Sequence, residues 1–230
     1  MAQPIRLVCL DLAGTTVTDS GAVNEAFSAA MDAAGIDPSS ERFLQASQYV
    51  QATMGQSKID VFRALFDGDA DRADLANRSF EAAYGLSIEG GRVAAMPGAE
   101  AAMDELVAHG AQVCLTTGFA PETRDALLGA LGWAGRAALV LSPADAGRGR
   151  PFPDMILTAV LRLGIDDVAA VAVVGDTTND LLSGQRAGVG TVVGVLTGAH
   201  DKNQLATVVG AQIIDSVADL PALLFDPHRT

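Results

Sequence analysis

Acidic and hydroxylated residues sit where several short apolar runs of this chain end. Asp11 closes IRLVCLD (5–11), and the Thr116–Thr117 pair closes AQVCLTTG (111–118). Asp176, with Asp180 close behind in GDTTND, closes VAAVAVVGD (168–176). In open α/β sheets, ligands bind beyond the carboxyl ends of the strands, so these residues would share one edge. Three acids there repel one another, and a hard cation with oxygen ligands, such as Mg²⁺, would relieve that. One carboxylate could then attack an electrophile while the metal neutralises an anionic portion of the substrate. An aspartate at a strand end is, by itself, more often a helix cap or a surface acid, and Asp180 has the spacing of a cap. Their recurrence at successive strand ends is harder to explain that way. A second acid two places after Asp11 would supply a proton donor, but that place is Ala13.

Two cations could complete such a site. Arg150 lies in GRGRPFPD, beside Arg148 and just before Pro151, a natural helix start. It would hold a carboxylate and a phosphoryl oxygen by charge-assisted bonds, or else be a solvated loop arginine. Lys58 lies in MGQSKIDVFRALF. Here Gly55 reads as a turn, Ser57 as an N-cap and Asp60 as the partner that completes a box-like start. Ile59, Phe62 and Phe66 form the apolar face. The first turn of a helix disfavours a cation, which lowers the lysine pKa and favours the neutral amine that imine chemistry on a carbonyl requires, and burial would favour it further. The plainer reading is an exposed lysine at a helix start.

Other candidates are weaker. AGVGTVVG (187–194) lacks the spacing of a dinucleotide-binding loop and precedes a strand. His109 and His228 read as helix-end and tail residues, His200 as a loop histidine rather than one that rims the site, and Trp133 as packing.

The elements that must carry these residues alternate. The runs 5–11, 111–118, 137–142, 168–176 and 190–198 are nearly continuous in Val and Leu, as strands of a parallel sheet buried on both faces are. Helical patterns lie between them at 99–110, 121–133, 151–164 and 178–188, with Gly110, Gly164 and Gly188 as stops. The expected fold is an α/β doubly wound parallel sheet. Residues 19–96 break the rhythm with helical patterns and no convincing strand. They read as an inserted all-helical cap, hinged near 17–21 and 93–98, on a core of 1–18 plus 97–230.

The chain has 230 residues, 49% hydrophobic and 19% charged, and a formal net charge of −13. That composition builds a sizeable core and argues against nucleic acid or an anionic membrane as partner. Cys9 and Cys114 both lie in apolar runs and read as buried free thiols of a reducing compartment. The apolar stretch near the start is too short for a secretion signal, and no run reaches the length of a membrane span, so a cytoplasmic protein is expected.

LVCLDLAGTT, VCLTTG, GRPFP and VVGDTTNDLLSGQRAG resemble, in order and spacing, the four motifs of the haloacid dehalogenase superfamily of hydrolases. The D-x-A-G-T-T form, the TTG, the arginine of G-R-P-x-P and the M-G-x-x-K of the cap are similar to the phosphonatase branch. The resemblance implies Mg²⁺-dependent hydrolysis through an aspartyl-phosphate on Asp11. It implies metal ligation by Asp11, Asp176 and the Ala13 carbonyl, with Asp180 in support. Lys58, Thr117 and Arg150 would join Asp11 in catalysis, Lys58 as the Schiff-base former. Thr15, Thr117, Gly118 and Met54 would meet the substrate. The implied reaction is cleavage of the carbon–phosphorus bond of phosphonoacetaldehyde or a related small organophosphonate. Relatives in the branch are often dimers through the cap, so a homodimer is implied too. The pattern departs from the branch at Val61, where it has a histidine, and at Phe119, where it has a tyrosine. Two alternatives stay open: a phosphatase of small phosphomonoesters such as phosphoglycolate, and a non-catalytic phosphorylation switch. Ala13 counts against the first, and a water-excluding cap against the second.

Overall fold

A computed structural model describes residues 4–226; His228 lies outside them. In chain order, β1 (Leu7–Asp11) and β2 (Val17–Thr18) precede four helices, α1 (Ala22–Ala33), α2 (Glu41–Ala52), α3 (Lys58–Leu65) and α4 (Ala70–Glu89). Next come β3 (Ala94–Ala95), α5 (Ala99–Ala108), β4 (Gln112–Thr116), α6 (Pro121–Leu131), β5 (Leu139–Leu141), α7 (Pro143–Ala146) and α8 (Asp154–Arg162). The chain continues through β6 (Val171–Gly175), α9 (Thr178–Ala187), β7 (Thr191–Val195), α10 (Lys202–Leu205), β8 (Gln212–Ile214) and α11 (Leu220–Phe225).

The main sheet has the order β5-β4-β1-β6-β7-β8, and its pairs are parallel. Every residue of β1 and of β6 is buried, which accounts for their unbroken apolar sequences. From β1 the chain builds outward through β4 and β5, then returns to the other side for β6, β7 and β8. The order therefore reverses beside β1, and the crevice at the carboxyl end of β1 is the switch point of the fold.

Several boundaries move. Residues 168–170 form a 3₁₀ turn rather than the start of a strand. The helix expected from Pro151 begins at Asp154, because Pro151 and Pro153 hold the preceding residues in a turn. β8 has only three residues, too short to register as a strand in the sequence.

The helices α1, α3 and α4 pack on one another through Phe27, Phe62 and Phe80, with Phe27 and Phe80 ring centroids 4.7 Å apart. The two stems of this insertion pair as an antiparallel ribbon, Val17 with Ala95 and Thr18 with Ala94. Sequence reading of 19–96 found no strand there; the second stem has only two residues, and its partner lies far away in the chain. The loop after β4 carries Phe119 into the helical cluster, where it stacks on Tyr84 at 4.6 Å. One continuous apolar cluster thus runs from the sheet into the inserted helices. Cys9 and Cys114 are free, buried and direct partners across β1 and β4. No helix among the described residues is long and apolar enough to cross a membrane.

Candidate active site

A cavity of about 290 Å³ opens at the carboxyl ends of β1, β4 and β6. Asp11, Asp176, Arg150 and Lys58 all line it. Four polar positions separated widely in sequence meet there because parallel strands all point their carboxyl ends to one edge.

Asp11 ends β1 and is 6% exposed. Its Oδ1 lies 2.8 Å from Arg150 Nη1. Arg150 is as buried as the acids it serves and makes four contacts. Its Nη2 donates to Thr116 Oγ1 at 2.6 Å, and its Nη1 donates to the Gly55 carbonyl at 3.2 Å. Its Nε lies 2.7 Å from Asp180 Oδ1, an ion pair whose angle falls outside hydrogen-bond geometry. The solvated-loop reading of Arg150 is therefore wrong, whereas Arg148 pairs with Asp154 and is exposed.

Asp180 does not face the cavity. It forms a reciprocal cap with Thr177 at the start of α9, accepting from the Thr177 amide at 3.1 Å and the Thr177 hydroxyl at 2.5 Å. Its second oxygen steers Arg150. Capping and support are thus both its roles. Asp176 Oδ2 accepts from the Ala199 amide at 2.7 Å and Oδ1 from Thr15 Oγ1 at 3.2 Å. Gly14 must be glycine: its φ is +91°, and a Cβ would sit 2.5 Å from Asp176 Oδ2.

Burial pushes the carboxyls of both Asp11 and Asp176 above the usual range. For Asp11, Arg150 opposes that rise while Asp180 and Asp176 add to it; for Asp176, Asp180 is the next cause. Two buried carboxylates that repel are a fit for a divalent cation. Among the described residues no three acidic, histidine or cysteine side chains converge on such an ion. Mg²⁺ does not need them, since it is held by one or two carboxylates with waters and substrate oxygens. Ala13 is on the cavity wall beside both acids. The oxygen-only donors suit a hard cation.

Thr117 and Gly118 line the cavity, as does Met54. The Thr117 hydroxyl accepts from the Phe119 amide at 3.2 Å. Thr15, expected against the substrate, is wholly buried and lies off the cavity wall. Its side chain is committed to Asp176, because the tight turn from Leu12 to Val17 folds it inward.

Lys58 starts α3 as expected and is 6% exposed. Ser57 is the N-cap residue but makes no side-chain cap bond, and Asp60 reaches toward Arg63 instead. The Lys58 amine makes no hydrogen bond to a described residue. It sits 5.3 Å, 5.4 Å and 5.7 Å from the ring centroids of Phe27, Phe119 and Phe80. Its pKa is lowered to about 8, chiefly by burial, against the opposing pull of Asp11 and Glu81. The sequence-based direction is right, but its cause is desolvation more than the helix dipole. The three ring faces favour the ammonium and so soften that loss.

His200 is a loop residue, in the segment between β7 and α10, but it is buried and off the cavity wall. It is 5% exposed, and its Nδ1 accepts from the Thr178 amide at 3.0 Å while Nε2 lies 3.4 Å from the Gln51 carbonyl. It ties the start of α9 to the end of α2, contacts that no local pattern encodes. His109 caps α5 and stacks on Phe225, and Trp133 is buried with Nε1 donating to Glu100 at 2.7 Å. Sequence reasoning missed the Gly198–Ala199 loop, whose amide holds Asp176. The TGAHD turn after a strand was its only sign.

Residues 5–188 match the sequence model of the haloacid dehalogenase-like hydrolases. The chain belongs to that family. It is 30% identical to a probable phosphatase, IndB, of Dickeya dadantii (strain 3937), over 93% of this chain and 91% of that one. It is 28% identical to a phosphonoacetaldehyde hydrolase of Pseudomonas fluorescens (strain SBW25), over 96% and 92% of the two chains. Among solved structures, a phosphonoacetaldehyde hydrolase-like protein from Oleispira antarctica superposes with a TM-score of 0.80 at 25% identity, covering 98% of this chain and 93% of that one.

Proposed function

We propose that this hydrolase cleaves the carbon–phosphorus bond of a small aldehyde-bearing organophosphonate, phosphonoacetaldehyde or a near relative, with Mg²⁺ as cofactor. The observation that carries this reading is the pairing of Asp11 and Lys58 on one cavity wall with an alanine at position 13. An ester phosphatase gains about 10²–10⁴ in rate from an acid that protonates the leaving oxygen. A carbon leaving group stabilised through an imine needs no such acid. The phosphonoacetaldehyde hydrolase relatives support the same substrate class.

Asp11, Asp176 and the Ala13 carbonyl would hold the metal, which when bound neutralises phosphoryl charge. Arg150 holds Asp11 through Oδ1 and so orients the carboxylate toward phosphorus. Thr117 and Gly118 offer polar contacts for phosphoryl oxygens. Neutral Lys58 condenses with the aldehyde, losing water. Asp11 then attacks phosphorus, the carbon–phosphorus bond breaks, and its electron pair passes through the imine to nitrogen as an enamine. Protonation at carbon, hydrolysis of the imine and hydrolysis of the aspartyl-phosphate return the enzyme.

A second reading, a phosphatase of small phosphomonoesters, draws on the similarity to the Dickeya protein and on Val61, which is 1% exposed in the apolar core and cannot manage protons. Phosphate release with Mg²⁺ from phosphonoacetaldehyde, phosphoglycolate and simple alkyl phosphates separates the two. The phosphonatase reading expects the aldehyde substrate to be preferred and borohydride to trap a Lys58 adduct. Fast turnover of alkyl phosphates with no trapping would establish the phosphatase instead.

A further inference from the structure

Behind Lys58 lies a second cavity of about 280 Å³, between α3, α4 and the loop after β4. Lys58 and Phe119 wall both cavities. Asn77 and Glu81, one turn apart on α4, line the second. Asn77 Oδ1 is buried with no hydrogen-bond partner among the described residues. A cavity of this size with polar groups on its wall and an orphaned buried acceptor is where ordered water resides.

Glu81 is fixed rather than loose. Its Oε2 accepts from the Thr123 hydroxyl and its Oε1 from the Ala120 amide at 3.4 Å. It is the acid on the far side of Lys58 from Asp11. Its other charged neighbours are Asp60 and Arg63 of α3, an exposed pair on the cavity rim, and Glu122 of α6. Asp11, Asp176 and Arg150 face Lys58 from the first cavity.

We propose that Glu81 is the acid–base partner of Lys58, exchanging protons with it through water held by Asn77 in the second cavity. The proposal rests on reading Lys58 as the imine former, and it supplies the proton handling that Val61 cannot. Burial also pushes the Glu81 carboxyl up, toward the range in which it both takes and returns a proton.

The Lys58 ammonium passes a proton through water to the Glu81 carboxylate. The freed nitrogen pair bonds the carbonyl carbon, and the C=O π pair moves to oxygen, which takes the proton shed by nitrogen. Glu81, now the acid, protonates the departing hydroxyl. The C–O bond breaks, water leaves, and the nitrogen pair closes C=N. Protonated imine, water and the Glu81 carboxylate remain.

Glu81→Gln keeps the shape and removes the proton. Lys58 and Lys202 are the lysines of the chain, so protein labelled with carbon-13 at lysine Cε reports Lys58 directly, with Lys202→Arg assigning the signals. Glu81→Gln is expected to shift the Lys58 titration down by roughly 0.5–1 pH units. It should slow borohydride trapping about 10²-fold and remove one limb of the kcat pH profile. Asn77→Leu should slow trapping too, by a smaller factor. An unmoved Lys58 titration in Glu81→Gln, or trapping at the wild-type rate, overturns the proposal. A wild type that borohydride never traps overturns the imine reading instead, and the titration alone then decides whether Glu81 and Lys58 share a proton.

Discussion

In the proposed reaction, the division of labour between Asp11 and Lys58 is a matter of solvation. Asp11 is a nucleophile only as the carboxylate, yet burial favours its acid form. Arg150, at 2.8 Å, and the proposed cation restore the charge. Lys58 is the mirror case: an imine needs the neutral amine, and the same burial favours it. The sign fixes the pH dependence. With a pKa lowered from 10.5 to about 8, the neutral fraction grows as pH rises and saturates above about 8. Trapping by borohydride should therefore rise roughly tenfold from pH 6 to pH 7 and level off above about 8. A rate that keeps climbing to pH 10 would place Lys58 in water rather than among Phe27, Phe80 and Phe119.

At the scale of elements, the segment from the end of α2 to the start of α3 is bolted to the sheet edge. Asn179 Nδ2 donates to the Met54 carbonyl at 2.7 Å, Gln56 Nε2 donates to Asn179 Oδ1 at 3.2 Å, and Arg150 holds the Gly55 carbonyl. Gly55 is the close-packed point. Its φ is +84°, and a Cβ there would lie 2.6 Å from Thr177 Oγ1, which the α9 cap holds in place. Gly55→Ala should cost about 1–3 kcal/mol through crowding, with added strain from the positive φ. For a chain of this size that lowers Tm by about 2–12 °C. Because Lys58 follows on the same segment, kcat should fall by at least about tenfold as the amine is displaced. Unchanged melting and kinetics would mean that the segment moves freely on the core.

For the whole molecule, cohesion and repulsion meet at the site. The aromatic cluster joins the inserted helices to the sheet through Phe119, and the acids beside it strain against each other. Binding of Mg²⁺ to the folded state alone should stabilise it by about 2.7 kcal/mol at 100-fold excess over Kd, a rise in Tm of about 5–10 °C. Calorimetry with and without Mg²⁺ checks this, and Asp176→Asn should abolish the rise. A rise of the same size in Asp176→Asn would place the cation elsewhere.

The sequence by itself determined the alternation of buried strands and helices, the helical insertion, and the residues at the strand ends, because strands buried on both faces and strand-end acids leave local patterns that one chain displays. It also carried the motifs of the hydrolase family and the unusual alanine at position 13. Only the tertiary structure decided which groups face the cavity and which serve them. Thr15 turned inward to Asp176, Arg150 became a buried hub for Asp11 and Asp180, and His200 became a tie between α2 and α9. The two-residue ribbon of the insertion stems and the Glu81 side of Lys58 were equally invisible. Each depends on partners distant in the chain, and the energy of a buried charge is set by what surrounds it in space, not by what precedes it in sequence.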